Sequence, residues 1–213
     1  MYDIHFLSNE SLLIFWFFYL LFSIPMTLYS YYIENRKKII NKSINKVILY
    51  NIINVISTKV SLEIMSYIPT IKYIENIHWS FKIILSLFIA EFWFYYSHRI
   101  LHSNILYKYI HKKHHEFIKP YSLSALYSHP LEIFFNIIPS ASLGPILFNI
   151  TGFSLFFWIF IISFNTSSSH SGIILWPIIT DSHDKHHFYF NVNYGFLGIL
   201  DYLHKTNFKN NVI

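Results

Sequence analysis

The stretch SLLIFWFFYLLFSIPMTLYSYY, residues 11–32, contains no charged residue and is interrupted by a single proline, Pro25. A helix of about 20 apolar residues crosses the roughly 30 Å hydrocarbon core of a bilayer, so this stretch predicts a membrane helix. It is not a typical signal peptide, because Asp3 and Glu10 precede it where a signal peptide has a basic segment. The stretch therefore indicates an integral membrane protein.

The composition of the whole chain agrees with this expectation. Of its 213 residues, 54% are hydrophobic and only 13% are charged, whereas charged residues make up about 25% of a typical soluble domain. The chain has no cysteine, so any transition-metal site must use histidine and carboxylate side chains. Nothing in the composition indicates a second domain, and residues 1–213 are expected to form a single one.

Four further apolar runs follow the first. The expected fold class is therefore all-α: a polytopic membrane helical bundle of four to five membrane helices. The last two runs predict a helical hairpin whose first arm should bend at its prolines. The first of these four runs, residues 47–71, is a weaker candidate for a membrane helix because it contains Lys59 and Glu63. A re-entrant or interfacial helix is therefore nearly as well supported there as a full crossing. These runs are residues 47–71, 81–97, 131–150 and 153–164.

Basic residues between the runs predict an orientation. Five positive charges lie within residues 36–46, and the positive-inside rule places this loop in the cytoplasm. If all five runs cross, residues 98–130 and everything after Asn165 lie on the same side. The basic residues behind the net charge of +5 are then expected to be attracted to an anionic membrane leaflet and not to bind nucleic acid.

Before residue 188, those two segments carry ten of the thirteen histidines, most of them in three short clusters. Histidines spaced i, i+4 on a helix share one face and can ligate one ion. In the pattern H-x-x-H-H, the first pair shares a face and the third histidine can reach a neighbouring ion. Such motifs facing each other in a helical cap provide enough imidazole for a dimetal site. The clusters are His98-Arg-Ile-Leu-His102, His111-Lys-Lys-His114-His115 and His183-Asp-Lys-His186-His187.

The ligand type narrows the choice of metal. The chain lacks the H-E-x-x-H sequence of hydrolytic zinc sites and the paired Glu-x-x-His motifs of soluble di-iron proteins. An imidazole-rich site with eight or more candidate ligands suits two iron ions that activate oxygen, although imidazole also suits zinc. The pattern favours an oxygen-dependent di-iron enzyme, with a membrane zinc hydrolase as the alternative from another class.

These motifs, in this order, resemble the fatty acid hydroxylase superfamily, which includes sterol C-4 methyl oxidases, sterol C-5 desaturases and cholesterol 25-hydroxylase. The likeness covers residues 89–206. It includes Ser128-His129-Pro130-Leu-Glu132, His170-Ser-Gly172, Asn193-Tyr194-Gly195 and Asp201. The motifs are specific for the superfamily and much less so for its members. The resemblance implies that nine histidines hold two iron ions: His98, His102, His111, His114, His115, His170, His183, His186 and His187.

The remaining histidines are expected to have other roles. His129 either adds a ligand or, as the commoner case for a buried polar residue, is satisfied by hydrogen bonds while Pro130 starts the next helix. His5, His78 and His204 are expected not to bind metal.

Two features of the surroundings of the ligands are also predicted. Relatives often carry another polar group four residues before His170, where this chain has Thr166 after Asn165. A water held by Asn165 is therefore expected to complete the coordination of one metal ion. The expected partners of the outer imidazole nitrogens are backbone carbonyls and three carboxylates. The carboxylates are those of Asp181, Asp184 and Asp201.

The resemblance implies O2-dependent hydroxylation of a sterol or fatty acyl C–H bond, with the second oxygen atom leaving as water. Desaturation by the same centre is the nearest alternative, and a non-catalytic membrane scaffold is a third. No haem-binding or flavin-binding motif is present, so a separate donor such as cytochrome b5 with its NAD(P)H reductase is expected. The lipid would enter from the bilayer. The expected location is an endoplasmic-reticulum-type membrane, with the site facing the cytosol.

Overall fold

The computed structural model describes residues 4–71, 76–175 and 180–211, with backbone alone at residues 4–8, 210 and 211. The elements of these ranges are helical, which confirms the all-α fold. Two short 3-10 helices, His111–Glu116 and Ser122–Ser124, and a π-helical segment, Ile133–Ile137, accompany the α-helices. The α-helices are α1 (Ile4–Tyr32), α2 (Lys37–Met65), α3 (Trp79–Leu101), α4 (Asn104–Tyr109), α5 (Pro130–Glu132), α6 (Ile138–Leu147), α7 (Gly152–Ser168), α8 (Ser182–Tyr189), α9 (Ile199–Leu203) and α10 (Phe208–Asn211).

Five long helical segments form the bundle: α1, α2, α3, the continuous segment Pro130–Leu147, and α7. α1 packs mainly against α7, and α3 packs mainly against α6. The apolar core between them is built by side chains such as Phe18, Ile83 and Trp158. The five apolar runs of the sequence therefore correspond to the five helical segments of the bundle.

Three of these segments are long and apolar enough to cross a membrane: Asn9–Tyr32, Lys37–Met65 and Pro130–Leu147. From the sequence, residues 81–97 were the stronger candidate for a membrane helix and residues 47–71 the weaker one. The structure reverses that order. α3 has 23 residues but carries buried Lys82 and Glu91, which make it more polar. α7 is apolar but has only 17 residues.

Residues 47–65 of the run at 47–71 form the greater part of one uninterrupted helix, α2, whose buried face is polar, and residues 66–71 follow the helix. Ser43, Asn51, Asn54, Thr58 and Ser61 lie on this face. The Asn51 side-chain amide donates to the Leu123 carbonyl at 3.1 Å, and that of Asn54 donates to the Leu126 carbonyl at 2.8 Å. α2 therefore supports the backbone of the segment that leads from the second histidine cluster to α5, which explains its low hydropathy.

The expected bend in residues 131–150 takes the form of the π-helical segment before Pro139. A proline has no N–H, so the carbonyl four residues earlier lacks its helical donor. Tryptophan indoles donate in place of the missing N–H groups of Pro139 and Pro145. Trp93 Nε1 donates to the Phe135 carbonyl at 3.0 Å, and Trp158 Nε1 donates to the Ala141 carbonyl at 2.7 Å. Such replacement is needed where no water is available to the backbone.

The basic segment and the histidine clusters lie at the same end of the bundle. The buried Arg36 guanidinium donates to the Pro120 carbonyl and lies 3.8 Å from a carboxylate oxygen of Asp184 on α8. Lys46 pairs with Glu116, which ends the 3-10 helix of the second cluster. This placement agrees with the prediction that residues 36–46 share a side with the histidines.

Candidate metal centre

All nine predicted ligand histidines converge at one end of the bundle. His98 lies in the last turn of α3 and His102 caps that helix. The second cluster lies on the 3-10 helix His111–Glu116, and the third lies on α8. His170 follows α7 directly. The nine histidines form two groups: His98, His102, His111, His115 and His186 in one, and His114, His170, His183 and His187 in the other.

In the five-histidine group, the Nε2 atoms face one another at nearly uniform distances. His98 Nε2 lies 3.1 Å from His111 Nε2, which lies 3.0 Å from His102 Nε2. His186 Nε2 lies 3.1 Å from the Nε2 atoms of both His102 and His115. The ring atoms that bind metals therefore point towards a common centre.

The Nε2 atoms of the four-histidine group are spaced more widely. His114 Nε2 lies 3.4 Å from His183 Nε2 and 3.3 Å from His170 Nε2. Both nitrogens of His187 are buried without a hydrogen-bond partner within the described residues. Such an imidazole nitrogen is costly unless something binds it, so His187 also indicates a missing ligand.

Both spacings match those of nitrogens around a metal ion. With metal–nitrogen bonds of about 2.1 Å, two nitrogens lie about 3.0 Å apart at a right angle and about 3.4 Å apart at the tetrahedral angle. The Nε2 pairs given above for the five-histidine group have the first spacing. The four-histidine group has the second. The residues present therefore fit two metal ions.

Burial keeps these imidazoles in the neutral form that binds metal. Burial lowers the pKa of His102 to about 4 and that of His114 to about 3. Burial and the neighbouring imidazoles also lower the pKa of His111, His115 and His187 below the usual value. At neutral pH the rings are therefore uncharged and need lose no proton to a metal ion.

Within the described residues, neutral groups contact four of the nine outer ring nitrogens. His98 Nδ1 lies 2.8 Å from the Tyr194 carbonyl, and His186 Nδ1 lies 2.7 Å from the Val192 carbonyl. The Nδ1 atoms of His114 and His170 lie 3.1 and 2.9 Å from the hydroxyls of Ser128 and Ser169. The predicted role of backbone carbonyls is therefore confirmed for two histidines.

The predicted role of three aspartates is wrong. Asp181 pairs with Lys185, and Asp184 faces Arg36. Asp201 accepts the backbone N–H groups of Tyr194 and Gly195 at 2.8 and 2.6 Å. These carboxylates stabilise the segments that carry the site instead of its imidazoles, because each has a cation or a backbone amide closer at hand.

The carboxylate that does contact a cluster histidine is Glu132. Its Oε1 lies 2.9 Å from His111 Nδ1, and both side chains are buried. No role at the metal centre was predicted for Glu132 from the sequence. The signal for its role was its position in the Ser128–Glu132 motif, but nothing in the sequence specified which imidazole it would meet.

The other histidines lie outside both groups. His129 caps α5, where its Nδ1 accepts the Leu131 N–H at 3.2 Å, in agreement with the structural role favoured for it. His78 caps α3, and the His204 ring stacks on Tyr95. The side chain of His5 lies outside the described part of the chain.

A cavity of about 1160 Å³ leads from the histidines into the bundle. One end of the cavity is lined by His98, His114, His170 and His183, and the cavity continues along one face of α7 past Ile162, Ile159 and Leu155. Leu155 and Asn165 are separated by about 15 Å at 1.5 Å per residue. Asn165 and Thr166 line the cavity next to the histidines, and Asn149 and Thr151 line it beyond Leu155. Apolar side chains of α7 lie between these residues, so the middle of the cavity is suited to an apolar molecule.

The fold and this centre define a class: helical proteins with membrane-type segments whose paired histidine groups can hold metal at the end of an apolar cavity. The chain belongs to the fatty acid hydroxylase family, whose model matches residues 83–206. That range contains all nine histidines of the two groups. It agrees closely with the range of 89–206 expected from the motifs.

Curated relatives of several activities resemble the chain. It is 41% identical to "Fatty acid hydroxylase domain-containing protein 2" of Macaca fascicularis over 144 residues, which are 65% of this chain and 42% of that protein. It is 36% identical over 167 residues, 68% of this chain and 62% of the relative, to a Dictyostelium discoideum protein named provisionally as a methylsterol monooxygenase. It is 31% identical over 169 residues, 69% of this chain and 60% of the relative, to a rice very-long-chain aldehyde decarbonylase.

The chain thus spans less than two thirds of the length of each of these relatives. No solved structure matches it.

Proposed function

We propose that this protein is an iron-dependent membrane oxygenase that hydroxylates a C–H bond of a lipid. The observation that carries the proposal is the opening of one elongated apolar cavity onto two all-histidine groups. Two ferrous ions held by these groups would supply the activation of O2 and the oxidation of the substrate. One oxygen atom would enter the lipid as a hydroxyl, and the other would leave as water formed with two electrons from a donor and two protons from solvent.

The side chains of the cavity have separate roles in this proposal. Ile159 and Ile162 bind the apolar body of the lipid and exclude water from it. Asn165 and Thr166 lie at the change from apolar to polar lining, where they are suited to orient a polar group or a water next to the histidines. The apolar lining of the cavity and the family support a sterol or fatty acyl substrate.

Lipid profiling of cells that express the chain tests this function. The control is His114→Ala, which removes one ring of the four-histidine group. We expect a lipid heavier by one oxygen atom in cells with the wild type alone, and the oxygen should derive from labelled O2. A product lighter by two hydrogens would establish desaturation instead. A product that forms equally well without oxygen would exclude an oxygenase and favour a zinc hydrolase.

A separate, acidic electron donor such as cytochrome b5 is the second part of the proposal. Exposed lysines surround the histidine end of the bundle, among them Lys38, Lys42, Lys112 and Lys119. Charge complementarity speeds such an encounter and makes it sensitive to salt. Turnover with cytochrome b5 and its NAD(P)H reductase should fall as ionic strength rises and should fall further in Lys38→Glu/Lys42→Glu. A rate independent of both would exclude docking at this surface.

We propose that the protein crosses an endoplasmic-reticulum-type membrane several times, with the histidines facing the cytosol. Because the chain has no cysteine, single cysteines report the side of the membrane directly. Lys119→Cys, at the histidine end, should react with an impermeant maleimide from the cytosolic side of sealed microsomes. Thr151→Cys, in the turn between α6 and α7, should react only after permeabilisation. The opposite pattern would reverse the orientation.

A further inference from the structure

We propose that Glu132 is a positioning residue that sets the affinity of the five-histidine group for its metal ion. The proposal rests on the metal centre of the proposed function and assigns a role to a side chain outside the nine histidines. Its carboxyl oxygen Oε1 lies 2.9 Å from His111 Nδ1. The two side chains are 1% and 0% exposed, so water does not compete for this contact.

This contact fixes which nitrogen of His111 carries the proton. When Oε1 accepts the Nδ1–H, Nε2 is left without a proton and its lone pair points outwards from the ring. That atom lies 3.0 Å from His102 Nε2 and 3.1 Å from His98 Nε2. Glu132 therefore holds the ring in the tautomer and the orientation that ligation requires.

Glu132 is distinctive among the partners of the nine histidines. Within the described residues, the other outer ring nitrogens with a recorded partner face backbone carbonyls or serine hydroxyls. Among the described residues, the histidine that pairs with a carboxyl group is His111, and its partner is Glu132. A side chain that contacts the outer nitrogen of a metal-binding imidazole fixes the direction and the tautomer of the ring. The two metal positions are thus unequal, because within the described residues a carboxyl group contacts a histidine of the five-histidine group alone.

The surroundings of Glu132 argue against a purely structural role. Its second oxygen, Oε2, is buried with no hydrogen-bond partner in the described part of the chain. An unpaired buried oxygen destabilises a fold. An acidic residue in a first helical turn is favourable, but it needs no burial for that effect. The bond to His111 and the place of Glu132 on the cavity wall are the interactions that account for its burial.

The test is a titration of the full-length, metal-free protein in detergent micelles with Co²⁺. Co²⁺ bound by five or more ligands absorbs visible light more weakly than Co²⁺ bound by four, so the absorption separates the five-histidine position from the four-histidine position. We expect Glu132→Ala to weaken the five-histidine position by roughly 10- to 100-fold and to leave the four-histidine position unchanged. Glu132→Gln, which keeps an acceptor of the same shape, should lie between Glu132→Ala and the wild type.

The control is Glu116→Gln. Glu116 is on the same 3-10 helix as His111 but contacts Lys46 and Tyr127 and no histidine, so its exchange should change neither affinity. Circular dichroism and size-exclusion chromatography establish folding. Wild-type affinity in Glu132→Ala, or in Glu132→Gln where the alanine variant does not fold, would overturn the proposal. A wild type that binds no Co²⁺ would instead overturn the metal centre itself.

Discussion

The Nδ1 atom of His98 lies 2.8 Å from the carbonyl oxygen of Tyr194, which is 96 residues further along the chain. Tyr194 is in turn held by its own N–H, which donates to Asp201 Oδ1 at 2.8 Å. The side chain of Asp201 is buried. The carboxyl-terminal segment is therefore part of the metal centre, because it sets the direction of a ring that α3 carries.

Asp201→Ala is expected to reduce metal binding without removing a ligand. The Tyr194 and Gly195 N–H groups lose their acceptor, so the carbonyl that orients His98 is no longer fixed. Outer contacts of this kind are worth roughly 10- to 100-fold in metal affinity, and the iron content after dialysis against a weak chelator measures the loss. Glu63→Gln, at an exposed position of α2, is the control. Equal iron retention in both variants would contradict the role of Asp201.

Trp158→Phe is expected to destabilise the bundle by about 1–3 kcal/mol, because the Ala141 carbonyl loses the donor that replaces the missing N–H of Pro145. Denaturant titration in detergent measures the free energy of unfolding. Pro145→Ala restores a backbone donor for that carbonyl, so the same tryptophan exchange should cost less in the Pro145→Ala background. An equal cost in both backgrounds would mean that the loss comes from packing alone.

Ile162→Trp is expected to lower turnover by more than tenfold while the iron content stays unchanged. Ile162 is 7% exposed and lines the cavity next to its polar end, so a larger ring fills space that the lipid needs. Phe157→Trp, on the more exposed side of α7 at 37%, controls for the added indole. Product formation and iron content are measured on the same preparations. Unchanged turnover in Ile162→Trp would exclude this cavity as the lipid site.

The histidines outside the two groups provide a sharp contrast with those inside. His78→Ala and His204→Ala should retain the full iron content, because His78 caps α3 and His204 stacks on Tyr95. Either exchange lowers the thermal unfolding temperature at most slightly. A loss of iron in one of them, with the helical signal intact, would place that histidine among the ligands.

Sequence reasoning found the features that depend on neighbouring residues. The apolar runs predicted five helical segments because burial in lipid requires about 20 apolar residues in a row. The histidine spacing predicted that the three clusters share a metal site, because helical repeats bring such residues to one face, and the family resemblance added His170. Each signal is contained in a short stretch of chain.

The features that sequence reasoning missed depend on distant contacts. The polar face of α2 lowered its hydropathy, and its purpose appears only when Asn54 is seen next to Leu126, 72 residues away. Glu91 made α3 more polar, and its carboxylate accepts the N–H groups of Leu197 and Leu200. The same holds for Glu132, whose partner precedes it by 21 residues. Hydropathy and spacing contain no information on such pairings.

The central claim is that two neighbouring groups of histidines hold two iron ions. The most direct measurement is the iron content per chain of anaerobically purified protein, with Mössbauer spectroscopy to separate the two positions. The account predicts two ferrous ions per chain with distinct spectra, and fewer than two in His114→Ala. A wild type that retains one ion or none after loading with Fe²⁺, while its helices and its lipid binding are intact, would contradict the account.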